Sequence, residues 1–127
     1  MMLTAKVFAL QKLPHFQDLG LRELTHLARL MSEHTYPAGQ VIHRESAPIK
    51  RLIVVLEGHF VDPDGLPLPE LIGVRSLLFE EDLPAPITAG PGGALCLHLR
   101  RTHFYTFVFD CPVFLERLLL PTTPLPQ

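Results

Sequence analysis

The stretch Leu52-Ile-Val-Val-Leu-Glu-Gly58 reads as a β-strand: five consecutive apolar residues, three of them β-branched, closed by a glycine. It is too short for a buried helix and too apolar for a loop. Outward from it, other short runs carry the same signature. Val41-Ile42 follows the break at Tyr36-Pro-Ala-Gly39, Ile87 to Ala89 forms a second run, and Leu95, Leu97 and Leu99 alternate with Cys96 and His98. Turn residues separate these runs at Gly58, at Asp62-Pro-Asp-Gly65 and at Gly90-Pro-Gly-Gly93. Short strands punctuated this closely favour an antiparallel roll or barrel over a parallel sheet.

Helical periodicity flanks the strands on both sides. Leu21, Leu24, Leu27, Ala28 and Met31 recur at spacings of three and four, with Gly20 at the N-cap position and Glu23 three residues on, where its carboxylate reaches back to free amides. After Arg101, Thr102 is placed to cap a helix carrying Phe104, Phe107 and Val108. Asp110 and Pro112 open another through Phe114, Leu115, Leu118 and Leu119. The proline-rich tail 121–127 stops it. The expected fold is mainly β with flanking α, an antiparallel jelly roll with an N-terminal helix and short C-terminal helices. Residues 1–120 form one domain.

The chain has 127 residues, 47% apolar and 19% charged, which is enough to bury a core without a disulfide or a metal. Cys96 and Cys111 are too few for a disulfide framework, and the N-terminus has no secretion signal, so the expected compartment is the cytoplasm. No apolar run approaches the roughly 20 residues that cross a bilayer, so no membrane contact is expected. Residues 52–99 hold one basic side chain, Arg75, against seven acids, while the remainder has ten basic against six acidic residues, a surplus of four. The only basic clusters are the pairs Lys50-Arg51 and Arg100-Arg101, which do not make a phosphate-binding stripe. Direct nucleic-acid binding is not expected.

Taken in order, these elements and several particular residues resemble the cyclic nucleotide-binding domain of bacterial catabolite-activator-type transcription regulators. The resemblance covers residues 8 to 120. It rests on Leu10-Gln-Lys-Leu-Pro-His-Phe16, on Tyr36-Pro-Ala-Gly-Gln-Val-Ile42 at the entry to the roll, and on the strand ending at Gly58. It also rests on Gly73 to Ala89, which matches the family's phosphate-binding cassette in length, and on Arg101-Thr-His-Phe104 with Pro112. The resemblance implies a cupin-like double-stranded β-helix and a role in signalling. It also implies a ligand site at Gly73, Val74, Arg75, Leu83, Pro84 and Ala85.

At that site the chain departs from the pattern. The family's Gly-Glu is Gly73-Val74 here, and its phosphate-binding arginine falls on Leu83, beside Glu80-Glu81-Asp82. An arginine grips a phosphate through a planar two-bond fork that leucine cannot supply, and Pro84 has no amide to offer. The hairpin between Gly58 and Gly73 is also trimmed to Asp62-Pro-Asp-Gly65. Ordinary cyclic nucleotide binding is therefore expected to be lost, and Arg75 is expected to form a surface ion pair with Glu80 or Glu81.

Such a chain is expected to act as a non-catalytic regulatory module, through a protein partner or as a homodimer, because the dimerisation helix and helix-turn-helix of the regulators do not follow Leu120. The group Phe104, Phe107, Phe109, Phe114, Leu118, Leu119 and Leu120 reads first as core. Phe107, Phe114 and Leu118 are the residues an interface would use. A second reading is a sensor whose remodelled pocket takes a less anionic ligand, or a cyclic nucleotide held in a non-standard way. No enzyme, cofactor or metal is expected: the seven histidines show no His-x-His pair, Asp62-Pro-Asp-Gly65 is too short of acids for calcium, and Gly90-Pro-Gly-Gly93 lacks the Lys-Ser/Thr of a phosphate loop. No nucleophile and base are spaced as a catalytic set.

Overall fold

The computed structural model describes residues 1–119; Leu120 and the tail 121–127 lie outside the described residues. The chain divides into two compact units, Met31–Phe104 and Met1–Leu30 with the segment from Tyr105 onward.

The first unit is an antiparallel sheet. Its strands are β1 (Ser32–Tyr36), β2 (Val41–His43), β3 (Arg51–Val61), β4 (Leu71–Ile72) and β5 (Ile87–Arg100). They run in the order β1-β5-β3-β4, and β2 also pairs with β5. The sheet stays open, with β1 at one edge and β4 at the other. β5 is the spine, pairing Ser32 with His98, Val41 with Thr88, and Leu52 with Leu99. Ile49, Ile53, Val55, Phe60, Ile72, Ile87, Ala89, Ala94 and Cys96 form its core. Both faces of β5 are covered at its end, since Cys96, Leu97, His98 and Leu99 are all buried.

Two sequence expectations change here. Gly90-Pro-Gly-Gly93 is not a connection between two strands: β5 runs through it as one strand of 14 residues. The register shift between Val55 and Glu57 puts one extra residue on β3, and the shift between Gly58 and Phe60, which pair with Ala94 and Ala89, leaves residues 90–93 as a bulge on β5 itself. Gly58 and Gly93 adopt φ of +73° and +74°, and a Cβ at Gly58 would overlap the Gly93 carbonyl. Glycine at position 58 is thus required by both conformation and space. The other change is β1: Ser-Glu-His-Thr-Tyr has no apolar alternation, yet it pairs along its whole length with β5. The trimmed hairpin is a tight turn, in which Asp62 Oδ1 accepts the amides of Asp64 and Leu66, both at 2.9 Å.

The second unit is helical. α1 (Leu3–Gln11), absent from the sequence reading, buries Val7 and Leu10. α2 (Leu21–Leu30) starts as expected, with the Gly20 amide donating to Glu23 Oε1 at 3.0 Å. α4 (Arg101–Asp110) begins one residue before Thr102, directly after β5, and α5 (Pro112–Leu119) has its proline at the first position. Phe114 stacks on Phe16 at 5.4 Å and meets Phe107 edge-on at 5.1 Å. Arg117 pairs with Asp18 at 3.1 Å. Phe107, Phe114 and Leu118 are therefore buried within the chain. Their burial agrees with reading the group as core in the first place, and the apolar side chains that α4 and α5 leave exposed are Tyr105, Phe109, Val113 and Leu119, with Phe109 at 86%.

Candidate functional site

The cassette is positioned by the pairing of β3 with β4. Ile53 faces Ile72 and Val54 faces Leu71, which delivers the chain to Gly73. Gly73 has φ of +105°, and a Cβ there would come within 2.6 Å of the Arg51 carbonyl. Only glycine fits this close approach. α3 (Val74–Phe79) follows as a six-residue helix, and Glu80 ends it at φ +56°, its amide donating to the Ser76 carbonyl at 2.9 Å.

The polar groups of the cassette satisfy one another. Arg75 Nε donates to both Glu81 carboxylate oxygens at 2.9 Å, and its Nη2 donates to Oε2. The guanidinium also lies 5.0 Å over the Phe79 ring. This hydrogen bond pulls the Glu81 carboxyl below its usual range and raises the Arg75 value. Both side chains are well exposed, so the pair adds little stability. The buried Ser76 hydroxyl donates to the Glu81 carbonyl at 2.7 Å.

Leu83 is held from the opposite side. Its amide donates to the Ala47 carbonyl at 2.9 Å, and His43 Nε2 lies 2.9 Å from the Leu83 carbonyl and 3.1 Å from that of Ala47. Both are acceptors, so Nε2 carries the proton. The Leu83 side chain packs against the sheet core. The Ala85 amide donates to Ser46 Oγ at 3.3 Å.

Between α3 and Leu83 lies a cavity of about 280 Å³. Of the six cassette residues, Gly73, Val74, Arg75 and Leu83 line it, whereas Pro84 and Ala85 do not. Leu68, Pro69, Leu71, Ile72, Ser76, Glu81 and Asp82 complete the walls. Sequence reading missed these; the paired Leu71-Ile72 immediately before Gly73 was the available signal.

Two other polar groupings stand apart from the cassette. In the sheet unit the His34 and His98 rings stack at 3.9 Å, and the Tyr36 hydroxyl lies 3.3 Å from His98 Nε2. Burial, helped by His34 and then Arg51, pushes His98 down to about 3, so it is neutral at physiological pH. Burial pushes the Cys96 thiol up to about 11 against the pull of Arg51, and the thiol donates to the His34 carbonyl at 3.6 Å. Among the described residues no three His, Cys, Asp or Glu side chains are placed to hold a metal, and no helix is long and apolar enough to cross a membrane. In the helical unit an open groove of about 690 Å³ runs along α2, where Arg22, His26 and Arg29 face Phe107 and Cys111.

No family model and no curated protein matches the sequence. Solved structures do match. The chain superposes on the regulatory subunit of a cAMP-independent protein kinase A from Trypanosoma brucei with a TM-score of 0.72 at 20% identity, covering 94% of this chain and 48% of that one. It superposes on the catabolite activator protein of Thermus thermophilus with a TM-score of 0.67 at 23% identity, covering 83% and 54%. For the regulatory domain of Toxoplasma gondii protein kinase A, crystallised with cAMP, the TM-score is 0.72 at 17% identity, covering 90% and 47%. The chain thus spans about half the length of each. These neighbours, together with the open antiparallel sheet and its flanking helices, show that the chain has the fold of the cyclic nucleotide-binding domain.

Proposed function

We propose that this chain is a non-catalytic regulatory module of the cytoplasm that keeps the cyclic nucleotide-binding fold without ordinary cyclic nucleotide binding, and that acts by contact with another protein or a second copy of itself. The observation that carries the reading is Leu83. It stands where the family resemblance places a phosphate-gripping arginine, its side chain packs against the core, and its amide and carbonyl are occupied by Ala47 and His43. Arg75, the one cation of the cassette, is turned to Glu81. An incoming cyclic phosphate would have to break that pair and meet Glu80, Glu81 and Asp82 without a compensating fork. The contact with another protein falls on the exposed apolar side chains of the C-terminal helices, Phe109 first.

Calorimetric titration with cyclic AMP and cyclic GMP at low salt, where weak anion binding is most visible, tests the reading. No heat at millimolar nucleotide is expected. Micromolar binding would overturn it and point to Arg75 releasing Glu81 to take the phosphate. A second reading, a sensor for a different small ligand, is favoured by the cavity that remains beside Gly73 and Leu83.

A further inference from the structure

We infer that the cavity between α3 and Leu83 is a binding site for a small, uncharged and largely apolar molecule of about the size of a bicyclic ring. The walls are the first reason. Leu68, Leu71, Ile72, Val74 and Leu83 present hydrocarbon to the space, and Pro69 adds more. Size is the second. An apolar cavity of roughly 150 Å³ takes benzene, and drug-sized ligands need roughly 300 Å³ or more. About 280 Å³ falls between them.

The third reason is the state of the polar atoms around the space. Arg75 and Glu81 bind each other, Ser76 Oγ donates to the Glu81 carbonyl, and the amide and carbonyl of Leu83 are taken by Ala47 and His43. A charged ligand would have to lose its hydration at a wall whose one cationic side chain is already paired with Glu81, which disfavours it. An apolar ligand loses only ordered water and gains burial. Glu81 and Asp82 at the cavity wall act against an anion in particular. The inference rests on the reading that the cassette no longer takes a cyclic phosphate, and it adds the chemical class of what replaces it.

Indole is the probe. The chain has no tryptophan, so indole fluorescence is read against a dark background. Titrating the full chain into indole should shift the emission to the blue and saturate, while indole-3-acetate, the same ring with a carboxylate, should bind at least tenfold more weakly. Leu83→Arg should abolish the indole shift. Because that change could unfold the chain, Val74→Phe, which fills the cavity from a half-buried position, should also weaken indole at least tenfold with an unaltered thermal midpoint. No saturable indole shift, tighter binding of the acetate, or an unchanged affinity in the Val74→Phe variant would overturn the inference while leaving the loss of cyclic nucleotide binding intact. Displacement of indole by micromolar cyclic AMP would instead overturn the reading of the cassette itself.

Discussion

His43 Nε2 donates to the carbonyl of Leu83 across 2.9 Å and forty residues of sequence, and so ties the end of the cassette to the short strand β2. The same proton is shared with the Ala47 carbonyl, so one imidazole closes a loop on each side of it. Replacing His43 with alanine leaves the Leu83 carbonyl short of its donor in a half-buried setting, while the Ala47 carbonyl keeps the Leu83 amide, so the change should cost about 1 kcal/mol. Urea denaturation checks this. His43→Gln, which keeps a donor, should recover part of the loss, and equal stability in all three proteins would show that the bond contributes nothing.

The glycines at positive φ separate conformational strain from steric overlap. Gly39 has φ of +82° with no neighbour within 4 Å of an added Cβ, whereas Gly58 at +73° would drive a Cβ into the Gly93 carbonyl. Gly39→Ala should therefore cost about 1 kcal/mol, the ordinary left-handed penalty. Gly58→Ala should cost about 3 kcal/mol or prevent folding, because the β3 bulge must move as well. Thermal midpoints of the two variants give the comparison, and similar losses would refute it.

His98 makes stability depend on pH in a defined direction. Its ordinary value of 6.5 is pushed down to about 3 in the fold, chiefly by burial. Between these limits the unfolded chain binds a proton that the folded chain excludes. The contribution of His98 is therefore whole above pH 6.5 and is lost as pH falls towards 3, by at most about 1.4 kcal/mol per pH unit. His98→Asn, which keeps an acceptor for the Tyr36 hydroxyl, should flatten the decline between pH 6 and 4. Parallel acid limbs in the two proteins would show that carboxylates alone carry it.

The aromatic residues of the C-terminal helices should divide sharply. Phe114 is fully buried between Phe16 and Phe107, so Phe114→Ala should cost about 3 to 5 kcal/mol. Phe109 is 86% exposed, and Phe109→Ser should leave stability within about 0.5 kcal/mol of the wild type while lowering self-association or partner capture. Denaturation and light scattering on both variants check the division. A large stability loss in Phe109→Ser would mean that this side chain is buried in solution.

Local chemistry made much of the architecture legible. Apolar β-branched residues bounded by Gly58, and leucines at spacings of three and four from Leu21, are written in side-chain type, because burying one face of a strand or helix needs those periods. The tight turn at Asp62-Pro-Asp-Gly65 and the pairing of Arg75 with a near acid are likewise short-range facts, whereas the need for glycine at 73 comes from the Arg51 carbonyl. The tertiary structure alone decided the rest. β1 has no apolar period and exists because β5 offers it a hydrogen-bonding partner 62 residues away at His34 and Cys96. β5 passes through Gly90-Pro-Gly-Gly93 because residues 90–93 bulge out opposite His59 while the pairing with β3 resumes at Phe60 and Ala89, a property of the pairing and not of the stretch itself. Phe107, Phe114 and Phe109 look equivalent in sequence, and only packing, of Phe16 on Phe114 and of Phe114 on Phe107, separates the first two from the third. Whether Leu83 leaves a cavity or fills one likewise depends on Ala47 and His43, since the position of a side chain in space is set by contacts that sequence distance does not reveal.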